Sequence, residues 1–215
     1  IPGEKAAVSN GDIPLKFTAD IHEVTYTRVA GNGFEENDEV GVFALVGSST
    51  MKEERYADNL RFFRTSEKVF ESSEPIYYPD DEVTLRLISY YPYQEEGVNM
   101  GESTMSVAVE TDQNLSAGYF CSDFLVASQN LQSAPKGAIA LHYDHKFFKL
   151  KIALVGKEGE ELQGILDADP KLSVCGFYTK AIYDFQKETY SAFSNEKSIT
   201  PAGKWEIQGD RLSGK

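Results

Sequence analysis

The chain has 215 residues, of which 41% are hydrophobic and 26% are charged, a composition that excludes wholesale disorder and fits one or two globular domains. Its net charge of −13 disfavours nucleic acid and anionic lipid surfaces as partners, because like charges repel. The 13 Phe and 12 Tyr favour β-strands, since aromatic side chains suit a half-buried pleated surface.

The first predicted strand follows a short polar arm. Residues 1–12 are small, polar and aperiodic, which predicts a flexible N-terminal arm. From Ile13 to Ile21 an apolar residue recurs at every second position, which predicts a strand with one buried face. The positions on that face are Ile13, Leu15, Phe17, Ala19 and Ile21.

Further strands are predicted along the rest of the chain. Asp38–Val46 is apolar on both faces, as in a central strand that is covered on two sides, and Glu82–Tyr93 is an amphipathic strand. Many short strands divided by Gly, Pro and Asn, without an alternating strand–helix pattern, predict an all-β antiparallel sandwich or barrel. Glu160–Ala168 predicts one or two helical turns.

The segment Gly137–Val155 predicts either a hairpin or one long bent strand. Within it, alternate apolar residues face one way, and lysines lie among the residues that face the other way. The apolar residues are Phe148, Leu150, Ile152 and Leu154.

Sequence signatures of nucleotide binding, of a nucleophile elbow and of a calcium loop are absent. His142 and His145 would point to opposite faces of a strand, so we expect sheet histidines rather than metal ligands, and His22 has no companion nearby in the sequence. We therefore predict no metal site and no cofactor. A hydrolase that uses a pair of carboxylates stays open as an alternative, because the sequence gives no reason to choose a pair.

The two cysteines, Cys121 and Cys175, leave two alternatives open. They pair in an oxidising compartment, or they remain two free thiols that act as small buried hydrophobes. The second alternative is favoured.

Several tyrosines are candidates for stacking on sugar rings. They are Tyr77, Tyr78, Tyr91 and Tyr93. Because adjacent aromatic residues on a strand alternate faces, packing in the core or in loops is the favoured interpretation, and a sugar-binding surface lipoprotein is the alternative function.

The order of several motifs resembles the fimbrillin-like family of Bacteroidales, the subunits of type V pili. Asp38–Phe43 resembles the family's segment Gly-Asp-x-Ile-Gly-Val-Phe, with Asn37 in place of the first glycine. Ser89–Tyr93 resembles its Ala-Tyr-Tyr-Pro-Tyr, and Ser122–Ala127 resembles its Ser-Asp-Leu segment. His145–Leu150 resembles the final sheet strand of its first domain.

This resemblance implies two transthyretin-like β-sandwich domains, which we expect at 13–157 and, in partial or shortened form, at 158–215. It also implies export as a lipoprotein to the cell surface, outer membrane or fimbrium, with membrane contact only through a lipid anchor that this sequence does not contain. The implied partners are other fimbrial subunits or ligands on host and bacterial surfaces. The implied role is structural or adhesive, so by this resemblance we expect that the protein is not an enzyme.

In pilins of this family a protease removes the first strand after a loop arginine. By this resemblance, cleavage near Arg28 would release Ile13–Ile21 and open a hydrophobic groove for a strand from another subunit. The alternative is that Arg28 is an ordinary residue at the end of a strand.

Overall fold

The computed structural model describes residues 14–22, 33–79, 83–114, 116–201 and 203–214. The predicted N-terminal arm, Ile13 and Arg28 lie outside these ranges. The described residues form thirteen strands and two short helices, so the all-β prediction is confirmed. In chain order the elements are β1 Phe17–Ile21, β2 Glu39–Val46, β3 Ala57–Arg64, β4 Phe70–Ser72, β5 Leu85–Tyr91, β6 Thr104–Ala108, α1 Ser116–Cys121, β7 Leu125–Leu131, β8 Ile139–His145, β9 Ala153–Leu154, α2 Leu162–Asp167, β10 Val174–Asp184, β11 Thr189–Ile199, β12 Trp205–Gln208 and β13 Arg211–Gly214.

Seven strands close into a barrel in the order β1-β4-β3-β2-β5-β7-β8. Neighbouring strands in the barrel are antiparallel, except that β1 runs parallel to β8. A parallel pair needs a long connection, and here the whole chain between β1 and β8 provides it. The barrel is therefore closed by the first strand of the described chain.

The central position of β2 is confirmed by burial on both of its faces. Val40, Val42 and Ala44 point into the main hydrophobic core. Phe43 and Leu45, on the opposite face, are 0% and 1% exposed. This burial explains why the sequence of β2 is apolar at successive positions rather than at alternating ones.

The glycine in this strand has a packing reason. A methyl group at Gly41 would overlap the ring of Tyr90, which pairs with Gly41 across β2 and β5. Burial raises the pKa of Tyr90 to about 12, and its hydroxyl donates to Asn59 Oδ1 at 2.7 Å. The close approach of ring and backbone is what requires glycine at this point of the motif.

Two compact units can be distinguished. One contains the described residues up to 105 together with 124–146 and 185–187, and the other contains 106–123, 147–184 and the described residues after 187. The units interleave along the sequence, so they do not coincide with the continuous segments 13–157 and 158–215. That continuous division stays a prediction about domains that fold separately.

The second unit is built on two small sheets, in the orders β11-β10-β6 and β12-β13-β9. Its helix α2 confirms the helical turns predicted from Glu160 onwards. Trp205 on β12 donates its indole N–H to the carbonyl of Pro170 at 2.7 Å, which ties the sheet to the segment after the helix.

The segment after β8 differs from the prediction of a hairpin or a long strand. β8 ends at His145, and the chain has no regular structure until β9 begins at Ala153. Phe148 is 73% exposed, and its ring lies 5.9 Å from that of Phe177. Alternation alone does not bury a face, because burial requires a second layer to cover it.

Candidate functional site

The site begins with the position of β1 in the barrel. β1 pairs with β8 over five residues, from Phe17 opposite Ile139 to Ile21 opposite Tyr143. On its other side it pairs with β4 at Phe17 opposite Phe70. Beyond Phe17, the described residues of β4 give it no further backbone partner. Within the described ranges, this half of β1 is therefore paired along one edge.

The apolar residues predicted on the face of this strand do point inwards. Leu15 and Phe17 are 5% and 2% exposed, and Ala19 and Ile21 are partly buried against the same core. The Phe17 ring lies 5.0 Å from the rings of both Phe62 and Phe70. Taking β1 away would therefore expose a groove lined by aromatic core residues.

A surface cavity of about 350 Å³ lies along the half-paired edge of β1. It is lined by β1, by β8, by the end of β3 and by the turn that follows β3. The lining residues are Thr18, Ala19, Asp20, Arg64, Lys68, Ala140 and Leu141. Because strand edges carry unpaired N–H and C=O groups, this edge can accept hydrogen bonds from an added extended segment or donate to it.

A buried polar pair lies in the core near β1. The hydroxyl of Tyr143, on β8, lies 2.6 Å from Ser89 Oγ on β5. Ser89 donates in turn to the carbonyl of Gly41 at 3.1 Å. Burial raises the pKa of Tyr143, so this hydroxyl stays protonated and available as a donor.

Four charged or titratable side chains join the outer faces of β1 and β8. His142 hydrogen-bonds to Asp20, and His22 Nδ1 lies 2.8 Å from Asp144 Oδ1. The rings of His22 and His142 stack with their centroids 5.6 Å apart. Sequence reasoning missed this cluster because its two halves lie 122 residues apart, and no local pattern specifies which strands become neighbours.

Of the predicted ligand tyrosines, the first two have opposite environments. Tyr77 is 39% exposed, and its carbonyl accepts a hydrogen bond from Tyr56, which is itself 43% exposed. Tyr78 is 1% exposed, and its hydroxyl donates to the carbonyl of Val83. Tyr78 is thus a core residue and presents no face to a ligand, which corrects its place among the ligand candidates.

The other two predicted tyrosines are partly buried. Tyr91 packs edge-on against Phe34 at 5.4 Å and belongs to the rim of the core. The guanidinium of Arg61 lies over the Tyr93 ring at 5.9 Å from its centroid. These contacts favour packing roles over a sugar platform for both residues.

Cys121 and Cys175 are free and exposed in this structure. The prediction that they are buried thiols is therefore wrong. Cys175 Sγ lies 3.2 Å from Ser198 Oγ on the neighbouring strand. At this position β10 belongs to a small sheet whose residues are largely exposed, which explains why a residue type that is usually buried lies at the surface here.

In the described ranges, no three or more His, Cys, Asp or Glu side chains are arranged to hold a metal ion. Within the same ranges, no helix has both the length and the apolar character that crossing a membrane requires.

Comparison with known protein families gives a match to the family described as fimbrillin-like over residues 27–214. No curated protein matches the chain. Among solved structures, a candidate cell adhesion protein from Bacteroides uniformis is similar with a TM-score of 0.59 and 19% identity, covering 94% of this chain and 73% of that one. A candidate cell adhesion protein from Bacteroides ovatus gives a TM-score of 0.61 and 16% identity over 94% of this chain and 76% of that one.

The two structural relatives agree with the described fold. The family match covers most of the sequence, including the strand Glu39–Val46 and the segment around Ser89–Tyr93, where the resemblance was first seen. The resemblance predicted from these motifs is confirmed, and the chain belongs to the fimbrillin-like family.

Proposed function

We propose that this protein is a fimbrillin-like pilus subunit that assembles by strand exchange, with β1 as the exchanged strand. As a member of the fimbrillin-like family, the chain is a structural or adhesive fimbrial protein. The proposal adds the route of assembly and the segment that takes part in it.

The observation that supports the proposal is that the two halves of β1 are held differently. Its first half is anchored in the core through Leu15 and Phe17, and its second half pairs along one edge. A strand of this kind fills an apolar groove and can still be replaced from its half-paired edge. Loss of β1 would leave an open apolar groove and an unpaired edge on β8. An extended segment from another subunit would fill the groove and pair with that edge.

The incoming strand must match the groove that β1 occupies. Leu15, Phe17, Ala19 and Ile21 contact the core at every second position, so the donor strand needs apolar residues with the same spacing. A register shift of one residue would turn these side chains to solvent, which makes the spacing specific. The expected partner is therefore another fimbrial subunit that carries such a segment.

Cleavage after Arg28 is the proposed trigger. Arg28 follows His22, the last described residue of the β1 region, by six positions in the sequence. A cut there would convert β1 from part of the chain into a bound peptide, which can leave the barrel without being held nearby by a linker.

An arginine-specific protease tests the proposal on the folded protein. We expect cleavage after Arg28, release of the fragment that carries β1, and formation of larger species, measured by mass spectrometry and size-exclusion chromatography. Arg28→Lys should block all three changes, because the protease requires arginine. Arg211→Lys is the matched control, since Arg211 is also exposed but lies on β13 in the second unit.

Two outcomes would contradict this mechanism. In one, Arg28 stays intact while the exposed Arg61 and Arg211 are cut. In the other, the chain is cut after Arg28, but the fragment that carries β1 remains bound and the protein stays monomeric.

Finer features of the family are also proposed for this chain. We propose that the seven-stranded barrel corresponds to a transthyretin-like sandwich whose two sheets join at their edges, and that the second unit is a reduced form of the second domain. Fimbrillin-like proteins act at the cell surface, and attachment to the outer membrane through a lipid anchor is part of the proposal. The proposed role involves no catalysis and no cofactor.

A further inference from the structure

The second half of β1 is joined to β8 by a row of side chains, here called the His–Asp ladder. It consists of Asp20 and His22 near the end of β1, with His142 and Asp144 on β8. Asp20 lies directly opposite His142 in the strand register. The two imidazole rings stack almost in parallel, with 7° between their planes, so the ladder runs Asp20, His142, His22, Asp144.

The ladder lies where β1 has the fewest other attachments. The backbone N–H of His22 donates to the carbonyl of Tyr143 at 2.8 Å and ends the pairing of β1 with β8. On the opposite edge, the described residues of β4 give no backbone partner beyond Phe17. Among the described residues, this end of the strand is therefore held by its backbone pairing with β8 and by the side chains of the ladder.

We propose that the His–Asp ladder is a latch that holds the C-terminal end of β1 against β8 and sets how readily β1 leaves the barrel. This inference rests on the proposed function, in which β1 is the exchanged strand. Strand ends open first, so contacts at the end nearest Arg28 control the first step of release after a cut there.

The geometry indicates that the two His–Asp pairs stabilise the strand end together, and not as two independent surface pairs. An isolated exposed ion pair shifts an equilibrium by less than about tenfold, partly because two long side chains must be ordered for one contact. In the ladder the two histidines order each other by stacking, so each hydrogen bond to a carboxylate forms with a side chain that is already restrained. Aspartate and histidine are also shorter than lysine and arginine and lose less rotamer freedom.

Basic groups flank both ends of the ladder. Lys146 Nζ lies 3.9 Å from Asp144 Oδ2 at one end. At the other end, Asp20 lines the surface cavity together with Arg64 and Lys68. A donor strand that enters at the cavity therefore comes close to Asp20, and displacing β1 requires breaking the bond between Asp20 and His142.

Amide exchange in the intact protein tests the latch directly. The double variant H142T/D144N removes the His142 ring, which bonds to Asp20 and stacks on His22, together with the charge of Asp144, and it leaves the sequence of β1 unchanged. We expect the His22 amide to exchange about fivefold to tenfold faster, measured by NMR, because its hydrogen bond to Tyr143 opens more often. The Ile139 amide, which donates to Lys16 at the other end of β1, should change by less than about twofold.

The matched control is E71Q, which removes the exposed ion pair between Lys16 and Glu71 at the other end of β1. It should leave exchange at His22 within about twofold of the wild-type rate. The latch is overturned if H142T/D144N leaves the His22 rate unchanged, or if it accelerates His22 and Ile139 equally, which would indicate a loss of global stability.

Release of the cut fragment separates this inference from the function on which it rests. After cleavage at Arg28, the fragment should dissociate from H142T/D144N faster than from the wild type by a similar factor, and equal rates would overturn the latch. If the fragment leaves neither protein while exchange at His22 is accelerated, strand exchange fails as the function, and the ladder is supported as a clamp on β1.

Discussion

The barrel strand β2 and the hairpin strand β11 both form, but they differ in composition and in burial. In β2, every residue from Val40 to Leu45 is buried. In β11, most residues are exposed, and Phe193 keeps 57% of its surface accessible. Both segments form strands although β11 carries Ser, Asn, Glu and Lys where β2 is almost entirely apolar, so strand formation and burial are separate properties of the sequence.

The two strands also differ in the number of their neighbours. β2 lies between β3 and β5 and is covered on both faces. β11 lies at the edge of its three-stranded sheet, and among the described residues it pairs with β10. Positive φ angles at Ala192 and Asn195 interrupt its regularity, as bulges do at edges that must not pair at random.

Removing one aromatic ring from each region gives the largest expected contrast. Phe17→Ala should lower the free energy of unfolding by about 3–5 kcal/mol, because it leaves a cavity between Phe62 and Phe70. The measurement is urea denaturation followed by circular dichroism.

Phe193→Ala is the matched control in the hairpin. Its free energy of unfolding should change by less than about 0.5 kcal/mol, because the ring is mostly in water. Similar losses in both variants would mean that the hairpin is covered in solution and that the contrast between the regions is wrong.

A buried arginine gives the second largest effect. The Arg55 side chain has no exposed surface, and its guanidinium donates to the carbonyls of Val98, Asn99 and Glu102 and lies 5.2 Å from the Phe43 ring centroid. Arg55→Ala should lower the free energy of unfolding by about 2–4 kcal/mol, since one buried and two partly buried carbonyls would lose their donor.

Arg61→Ala is the control for Arg55→Ala in the same denaturation experiment. Arg61 is mostly exposed and pairs with Glu39 at the surface, so less than about 1 kcal/mol is expected. If the two substitutions lower the free energy of unfolding by the same amount, Arg55 does not organise the loops around it.

The core of the barrel could be predicted from sequence because its signals are local. The alternation from Leu15 to Ile21 and the unbroken apolar run in β2 follow from side-chain geometry within one strand. The neighbours of a strand are not local. The parallel pairing of β1 with β8, and with it the contact between His22 and Asp144, depends on residues far apart in the chain.

The same limit explains the errors. Phe148 and the two cysteines belong to residue types that are usually buried, and their surroundings in the second unit offer no covering layer. Tyr78 is a ligand candidate by residue type alone, and its burial in the core agrees with the favoured interpretation of packing. Residue type indicates a tendency to be buried, and the elements that pack against the residue decide whether it is buried.

A glycine-to-alanine change should act with opposite signs in the two regions. Gly41→Ala places a methyl group against the Tyr90 ring and should lower the free energy of unfolding by about 1–3 kcal/mol. In α2, a methyl group at Gly164 would have no atom within 4 Å. Gly164→Ala should therefore stabilise its unit by about 0.5–1 kcal/mol, because alanine is the better helix former. Thermal unfolding of the two variants checks both signs, and a stabilised Gly41→Ala would contradict the described packing of β2 on β5.

The smallest expected effect is a pH dependence at the entrance to β2. Burial raises the pKa of Asp38 above its ordinary value, although its carboxylate accepts the Glu35 N–H at 2.6 Å. In the window between the ordinary pKa of about 3.9 and the raised folded value, the folded protein holds more protons than the unfolded chain. The stability contributed by this group is therefore present at low pH and lost as pH rises through the folded pKa.

Asp38→Asn removes that titration and keeps an oxygen for the Glu35 N–H. Relative to the wild type, the variant should gain stability as the pH is raised from about 4 to 6, measured by urea denaturation at each pH.

Asp210→Asn is the control in the second unit, where the hydrogen bond from Arg211 holds the pKa of the carboxyl below its ordinary value. The sign is then reversed, because the wild type gains stability relative to that variant as pH rises through the range in which the carboxyl ionises. Equal slopes for the two variants would show that Asp38 is as open to water as Asp210, and that the turn leading into the barrel has no more cover than the turn between β12 and β13.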